Sequence, residues 1–198
     1  VSTAGAVALI AGAKDEGLSV TAEVTPHHLL FDHSYVEDTN PTYKMMPPLR
    51  APSDVEAVRQ GLRSGVLDVV ATDHAPHADH EKDHAWEDSP FGVIGLEWAA
   101  AVVNTVVDLP PEDLFRVMSS IPAHIAGLEG QGRLEVGATA NLVVFDPEAA
   151  TDTSKSVSRS SNAPYLGMDL KGAVVHTVYR GQFTVRDGVS AQGAGAMG

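Results

Sequence analysis

Four histidines and three aspartates fall within the twelve positions from Asp73 to His84, in the stretch "ATDHAPHADHEKDHA". The apolar run Val66-Leu67-Asp68-Val69-Val70-Ala71 leads straight into them. Imidazole and carboxylate can ligate a divalent metal, and both also carry protons in catalysis. At the end of a buried parallel strand, Asp73 would aim its carboxylate into the cup where strand ends converge. There it could bind a metal and exchange a proton with the metal-bound water, whose pKa a metal lowers from about 15.7 to about 7. His77, four residues on and past Pro76, is placed to reach a substrate instead of the metal.

A blander chemistry competes at each of these positions. A strand-end Asp is often only the acceptor of an Asx-turn or a helix cap. His80 and His84 stand among Asp79, Glu81, Lys82 and Asp83 and read as solvated loop residues. The His-x-x-His spacings at 74/77 and 77/80 invite a zinc-binding helix, but Pro76 and the loop composition argue against a helix there. His27 and His28 follow another strand; adjacent side chains diverge, so at most one would face the cup. His124 and His176 read as structural.

The elements that must position these residues follow from pattern. "VSTAGAVALIAGAKDEG" gives Ser2 or Thr3 as cap of a helix running to about Glu16 and ending at Gly17. Val20 to Val24 alternates and is β-branched, a strand closed by Thr25-Pro26, and residues 27–52, with prolines at 41, 47, 48 and 52, are loop-like. "SDVEAVRQGLRSG" places Ser53 as N-cap with Glu56 in a capping box and Gly65 as terminator. Val66 to Thr72 is a second strand, apolar on both faces as in a parallel sheet. A helix from about Gly95 to Val107 and another in "PPEDLFRVMSS", with Pro111 in its first turn, complete the pattern. Strands joined by helical crossovers predict a parallel α/β sheet with its chemistry at the carboxyl ends of the strands.

From about Gly130 the texture changes. "GRLEVGATANLVVFDP", "TSKSVSRSSNAPY" and "GAVVHTVYRGQFTVRDG" are short β-branched runs punctuated by Gly, Asn and Asp, predicting a small β-rich appendage. The division expected is 1–128 for the α/β part, 129–190 for a small β-sandwich-type domain and 191–198 for a flexible tail.

Composition narrows the class. The 198 residues are 43% hydrophobic, include no cysteine and carry a net charge of −13. Thiolate metal sites and disulfides are thereby excluded, and the usage fits a cytoplasmic protein. The negative charge argues against nucleic-acid and anionic-membrane partners, and no apolar run approaches the ~20 residues of a membrane span. A chain that opens on the helix cap after Val1 reads as a fragment that has lost a preceding strand.

"EVTPHHLLF", "PPLR", "ATDHAPH" and "FGVIGLE", in that order, resemble the dihydroorotases of the cyclic amidohydrolase superfamily. The β-rich runs and "SNAPYLGMDLKGAVVHTVYRG" look like that family's C-terminal β-domain, so the resemblance covers nearly the whole chain. It implies the C-terminal part of a metal-dependent (β/α)8 TIM barrel. It also implies reversible hydrolysis of the cyclic amide of dihydroorotate to N-carbamoyl-aspartate, in pyrimidine biosynthesis.

The cofactor implied is one or two zinc ions. The family holds them with a His-x-His after the first strand, a carboxylated Lys or Asp after the fourth, histidines after the fifth and sixth, and an Asp after the eighth. Asp73 matches the last of these, metal ligand and acid/base in one. His77 matches the histidine that contacts the substrate carboxylate, and Phe91 and Gly92 match the loop whose backbone contacts the substrate ring. The sixth-strand histidine would stand immediately before Val1, and the remaining ligands further upstream. These residues alone are therefore expected to be inactive.

Met46 departs from the pattern, for the family commonly has there an Asn that hydrogen-bonds the substrate, and a thioether cannot donate. Two alternatives stay open. One is a hydantoinase- or allantoinase-type amidohydrolase. The other is a non-catalytic structural partner, for instance of aspartate transcarbamoylase. A homo-oligomer is expected.

Overall fold

The computed structural model describes residues 1–36 and 38–191. Of the tail expected at 191–198, residues 192–198 lie outside the described residues. Helix α1 (Ala4–Asp15) starts where the capping pattern places it, with Thr3 Oγ1 accepting from the Ala6 N–H at 3.2 Å. Lys14 on α1 reaches Asp68 at 2.8 Å, and Asp68 also accepts from the Ala22 N–H at 2.8 Å. That carboxylate pins the helix to the chain entering both strands.

Those strands are shorter than the alternation suggested. β1 is Glu23–Val24 and β2 is Val69–Val70, paired in parallel as Glu23↔Val69 and Val24↔Val70. Val20 to Ala22 and Ala71 to Thr72 lie outside the ladder. A strand needs a partner as well as a pattern, and β-branched residues without a neighbouring ladder remain extended coil.

Two helix starts differ from expectation for one reason, proline at the first helical position. After β1 the chain does not enter a loop at Thr25-Pro26. Thr25 caps α2 (Pro26–Leu30), its hydroxyl accepting from the His28 N–H at 3.4 Å. Likewise α3 (Pro52–Arg63) begins at Pro52 with Ala51 as cap, so Ser53 is inside the helix. Glu56 pairs with Arg63 at 3.1 Å instead of closing a capping box. The residues after β2 do form one helical turn, α4 (Asp79–Lys82), beginning past Pro76.

α5 spans Ala99–Val106, and Gly95 lies outside it. α6 (Pro111–Phe115) continues through a π-helical turn at Arg116–Ser120 into α7 (Ile121–Ile125). Pro122 lacks the N–H that would extend a regular ladder, and a π turn ahead of it absorbs the mismatch. No helix among the described residues is long and apolar enough to cross a membrane.

The remaining strands form one antiparallel sheet in the order β3 (Leu142–Ala150), β4 (Lys171–Tyr179), β5 (Gln182–Arg186) and β6 (Val189–Ser190). Its two hairpins turn on Arg180-Gly181 and Asp187-Gly188, all four residues at φ between 49° and 80°. That is the two-residue geometry matching strand twist. "TSKSVSRSSNAPY" contributes no strand. Its serines hydrogen-bond locally, Ser158 N–H to Ser156 Oγ and Ser160 N–H to Ser158 Oγ, and such bonds compete with a ladder.

Two cores result. One packs Val24 and Val70 against Val58, Leu62, Val103 and Val117. The other joins Phe31, Trp98 and Val102 to Ala163, Tyr165 and Leu170, seating the C-terminal segment on α5.

β3 is an edge strand with Leu142, Val143 and Val144 at 37%, 47% and 49% exposure. An open apolar edge templates association. The 198-residue chain expressed alone is therefore expected to aggregate or to melt without cooperativity. Size-exclusion chromatography and a thermal scan check this, and a soluble monomer with one sharp transition would refute it.

Candidate active site

The Val24↔Val70 pairing sets the two segments that follow, α2 and residues 71–77, side by side at the carboxyl ends of β1 and β2. Asp73 lies three residues beyond the ladder, not on its last position, at a φ of 47°. That left-handed conformation is uncommon outside glycine, and Asp and Asn tolerate it best. The Asp73 side chain is exposed, and its carboxylate makes no hydrogen bond or ion pair among the described residues. The turn-forming or capping role is therefore absent.

Both histidines of α2 are buried, contrary to the expectation that their side chains would diverge, with ring centroids 4.5 Å apart. His28 accepts at Nδ1 from the Thr25 hydroxyl (2.7 Å) and donates from Nε2 to the Pro47 carbonyl (2.9 Å). Burial lowers its pKa, and Asp73 is among the charges acting against that shift, so the ends of the two strands share one electrostatic environment. His27 is 1% exposed with neither ring nitrogen hydrogen-bonded. Burial above all, then His28, pulls its pKa down to about 3.

The histidine-rich stretch separates into distinct roles. His74 accepts at Nδ1 from the N–H groups of Gly95 and Leu96, both at 3.2 Å, and pairs its backbone with Val93. It is a structural tie. His77 donates from Nε2 to the Phe91 carbonyl at 2.9 Å, and its Nδ1 stands 3.7 Å from Glu81. His80, His84 and His124 are exposed, and His176 accepts from the Asp187 N–H at 3.1 Å.

His77, Phe91 and Gly92 are thus brought together. The Gly92 N–H donates to the Lys44 carbonyl (2.9 Å), and its carbonyl accepts from Lys82 and Asn162, each at 3.1 Å. With the Phe91 carbonyl taken by His77, the Phe91 N–H is the group of this pair left without a protein partner among the described residues. Met46, 56% exposed, lies between Lys44 and Pro47, the residues whose carbonyls receive Gly92 and His28.

Sequence reasoning missed Asn162, Lys44 and Lys82. Asn162, 3% exposed, donates to the carbonyls of Ala75 (2.9 Å) and Gly92 and accepts from the His77 N–H (3.4 Å), so a residue of the C-terminal segment stitches both site loops. Its place in "SNAPY" marked only resemblance, and an 85-residue separation from His77 leaves no local signal.

The described residues contain no group of three or more His, Asp or Glu able to hold a metal ion. Catalytic zinc needs about three protein ligands. The residues present therefore do not fit a complete metal site. What the geometry does offer is an unpaired carboxylate for proton transfer and, at Phe91, an open backbone donor.

Comparison with known proteins gives the chain a family. The model of the amidohydrolase family matches residues 5–184. The chain belongs to that family. It is 48% identical to the dihydroorotase of Leifsonia xyli subsp. xyli, over 98% of this chain and 46% of the relative. It is 46% identical to the dihydroorotase of Mycobacterium tuberculosis, over 94% and 45% respectively. Among solved structures it superposes on the L-hydantoinase (dihydropyrimidinase) of Arthrobacter aurescens with a TM-score of 0.86 and 30% identity, over 97% of this chain and 45% of that one. The D-hydantoinase of Bacillus sp. AR9 gives 0.84 and 28%, over 96% and 45%. The chain spans a little under half the length of these relatives.

Gly92 has a φ of 122°, and a Cβ there would lie 2.6 Å from the Ala75 Cβ and 3.2 Å from His77 Nε2. Gly92→Ala is expected to destabilise the whole protein by about 1–3 kcal/mol through strain alone. Denaturant titration checks it, and an unchanged midpoint would contradict the packing described. His27 gives a pH dependence. Unfolded histidine takes up its proton below about 6.5, whereas folded His27 does so only near 3. Stability should therefore fall as pH drops from 6.5 towards 3, by at most about 1.4 kcal/mol per pH unit for this group. Melting temperatures of His27→Leu across that range should decline less steeply than wild type, and parallel curves would count against the assignment.

Proposed function

We propose that this chain is the C-terminal portion of a dihydroorotase, and that Asp73 is its acid/base. On this reading residues 1–128 belong to a (β/α)8 barrel and residues 129–190 to a small β domain of which the four-stranded sheet is part. The observation that carries the reading is Asp73 itself. It is an exposed, unpaired carboxylate held at a φ of 47° just past a parallel ladder, in a chain 48% identical to a dihydroorotase. A carboxylate serving structure alone would be expected to have a partner.

In the hydrolytic direction the Asp73 carboxylate accepts a proton from the attacking water as its oxygen bonds to the amide carbon of dihydroorotate. The same carboxyl returns that proton to the ring nitrogen as the C–N bond breaks, leaving N-carbamoyl-aspartate. His77 and the Phe91 N–H hold the substrate, with Gly92 shaping the loop between them. Met46 offers no donor. Zinc is the cofactor the likeness implies, and Asp73 is the ligand this chain would contribute. Since the described residues do not complete a site, no step is assigned to the metal. Assembly as a homo-oligomer, or with aspartate transcarbamoylase, belongs to the whole protein.

A hydantoinase-type activity has one observation in its favour, the thioether of Met46 at 56% exposure where an amide would suit dihydroorotate. The higher identity to dihydroorotases, 48% against 30% for a hydantoinase, favours the first reading.

Asp73→Asn keeps the size and the left-handed tolerance of the residue and removes its basicity. In the whole protein loaded with zinc it should lower dihydroorotate ring opening by about 10²–10⁴-fold. Ultraviolet assay of dihydroorotate loss checks it. Wild-type protein with bound zinc and no activity on dihydroorotate would refute the substrate, and an active Asp73→Asn would refute the acid/base.

A further inference from the structure

We propose that Lys44 and Lys82 are positioning residues that grip residues 86–92 by their carbonyls and so hold the Phe91 N–H and His77 in the arrangement that receives the substrate. The inference rests on the reading of that loop as substrate-binding, and it names residues that neither the sequence pattern nor the family likeness had singled out.

Lys44 is 6% exposed, and no carboxylate pairs with it among the described residues. Its ammonium donates to the carbonyls of Trp86, of Glu87 (3.1 Å) and of Ser89 (2.6 Å). It also lies 4.9 Å from the centre of the Phe91 ring and 5.7 Å from that of Trp86. Lys82 comes from α4 and donates to the carbonyls of Pro90 (2.9 Å) and Gly92 (3.1 Å). Five carbonyls of one short loop are thus turned towards two ammonium groups.

Burying an ammonium without a counter-charge is costly, and an apolar side chain would fill the space more cheaply. The two charges also oppose one another. Burial first, then Lys44, lowers the Lys82 pKa to about 8. The loop compensates by converging dipoles on each lysine, and charge-assisted hydrogen bonds are the stronger kind.

The consequence is orientational. Carbonyls drawn inward leave the amide side of the loop available at Phe91, and the Gly92 N–H closes back on the Lys44 carbonyl at 2.9 Å. The turn that carries Lys82 also carries Glu81, 3.7 Å from His77 Nδ1, so α4 brackets the loop and the imidazole together.

The test uses the whole protein with Lys82→Met, Lys82→Arg and Lys44→Met. Steady-state ring opening of dihydroorotate is measured beside hydrogen exchange of the amides at 86–93 and in α3. Loosening a loop that binds substrate and transition state alike raises KM and spares kcat. Lys82→Met should therefore raise KM by about tenfold, keep kcat within about threefold, and quicken exchange at 86–93 but not in α3. Lys82→Arg, which retains a charged donor, should restore both readouts in part. Lys44→Met should act in the same direction and more strongly. Because Lys44 is buried and its replacement can unfold the protein, Lys82 decides the matter. Unchanged exchange at 86–93, an unchanged KM in an active enzyme, or equal loosening of α3 would overturn the proposal. A wild type that does not open dihydroorotate would refute the substrate reading and leave exchange alone to judge the clamp.

Discussion

The Val24↔Val70 register is the constraint from which the rest of the site follows. Parallel strands place their carboxyl ends together, so whatever sequence follows each strand must meet the other's. Here the buried histidine pair of α2 meets the left-handed turn at Asp73, whose charge is felt at His28. A slip of one residue would invert every side chain of a strand and drive Val24 or Val70, both buried, out of the core. The apolar packing around Val58, Leu62 and Val103 therefore fixes the site as well as the fold.

A second layer of organisation is polar and long-range. Asn162, Lys44 and Lys82 direct their hydrogen bonds to main-chain groups of the two site loops and leave the reactive groups alone. The segment bearing Asn162 is held by the aromatic contact of Tyr165 with Phe31 and Trp98, centroids 5.4 Å and 5.6 Å apart. Loosening that aromatic cluster would loosen Asn162 and, through it, the loop. The C-terminal segment is thus mechanically part of the site although none of its side chains is assigned to the chemistry.

Legibility in the sequence followed the range of the interaction. A cap at Ser2 or Thr3 and Pro111 in a first turn are decided by a few neighbouring residues; the structure takes Thr3 of the two and starts α6 at Pro111. Of the runs after Gly130, the first and last carry strands and "TSKSVSRSSNAPY" does not. Pro52 displaces Ser53 at the start of α3, and Thr25-Pro26 opens a helix, because proline's fixed φ and missing N–H suit the first helical position. The strands are shorter than their patterns because cross-strand bonding ends with the Ala22 carbonyl and the Ala71 N–H, while the apolar pattern runs on beyond it. The histidines of 73–84 were visible as a cluster, yet the clustering hid a division of labour. His74 ties backbone, His77 faces Phe91, and His80 and His84 face solvent. Partners lying 14 to 22 residues away decide the roles of His74 and His77, and partners 42 to 87 residues away those of Lys44 and Asn162, and no local pattern encodes such distances.

The chain has two tryptophans, and they report on different things. Trp98 is 2% exposed in the second core, its indole N–H donating to the Asp152 carbonyl at 3.3 Å. Trp86 opens the gripped loop, with an ammonium 5.7 Å from its ring centre. Excited indole is sensitive to nearby charge and to hydration, so the emission of these two residues divides into a buried component that tracks the core and a charge-perturbed one that tracks the loop. Within this chain the loop and the core therefore carry separate intrinsic reporters.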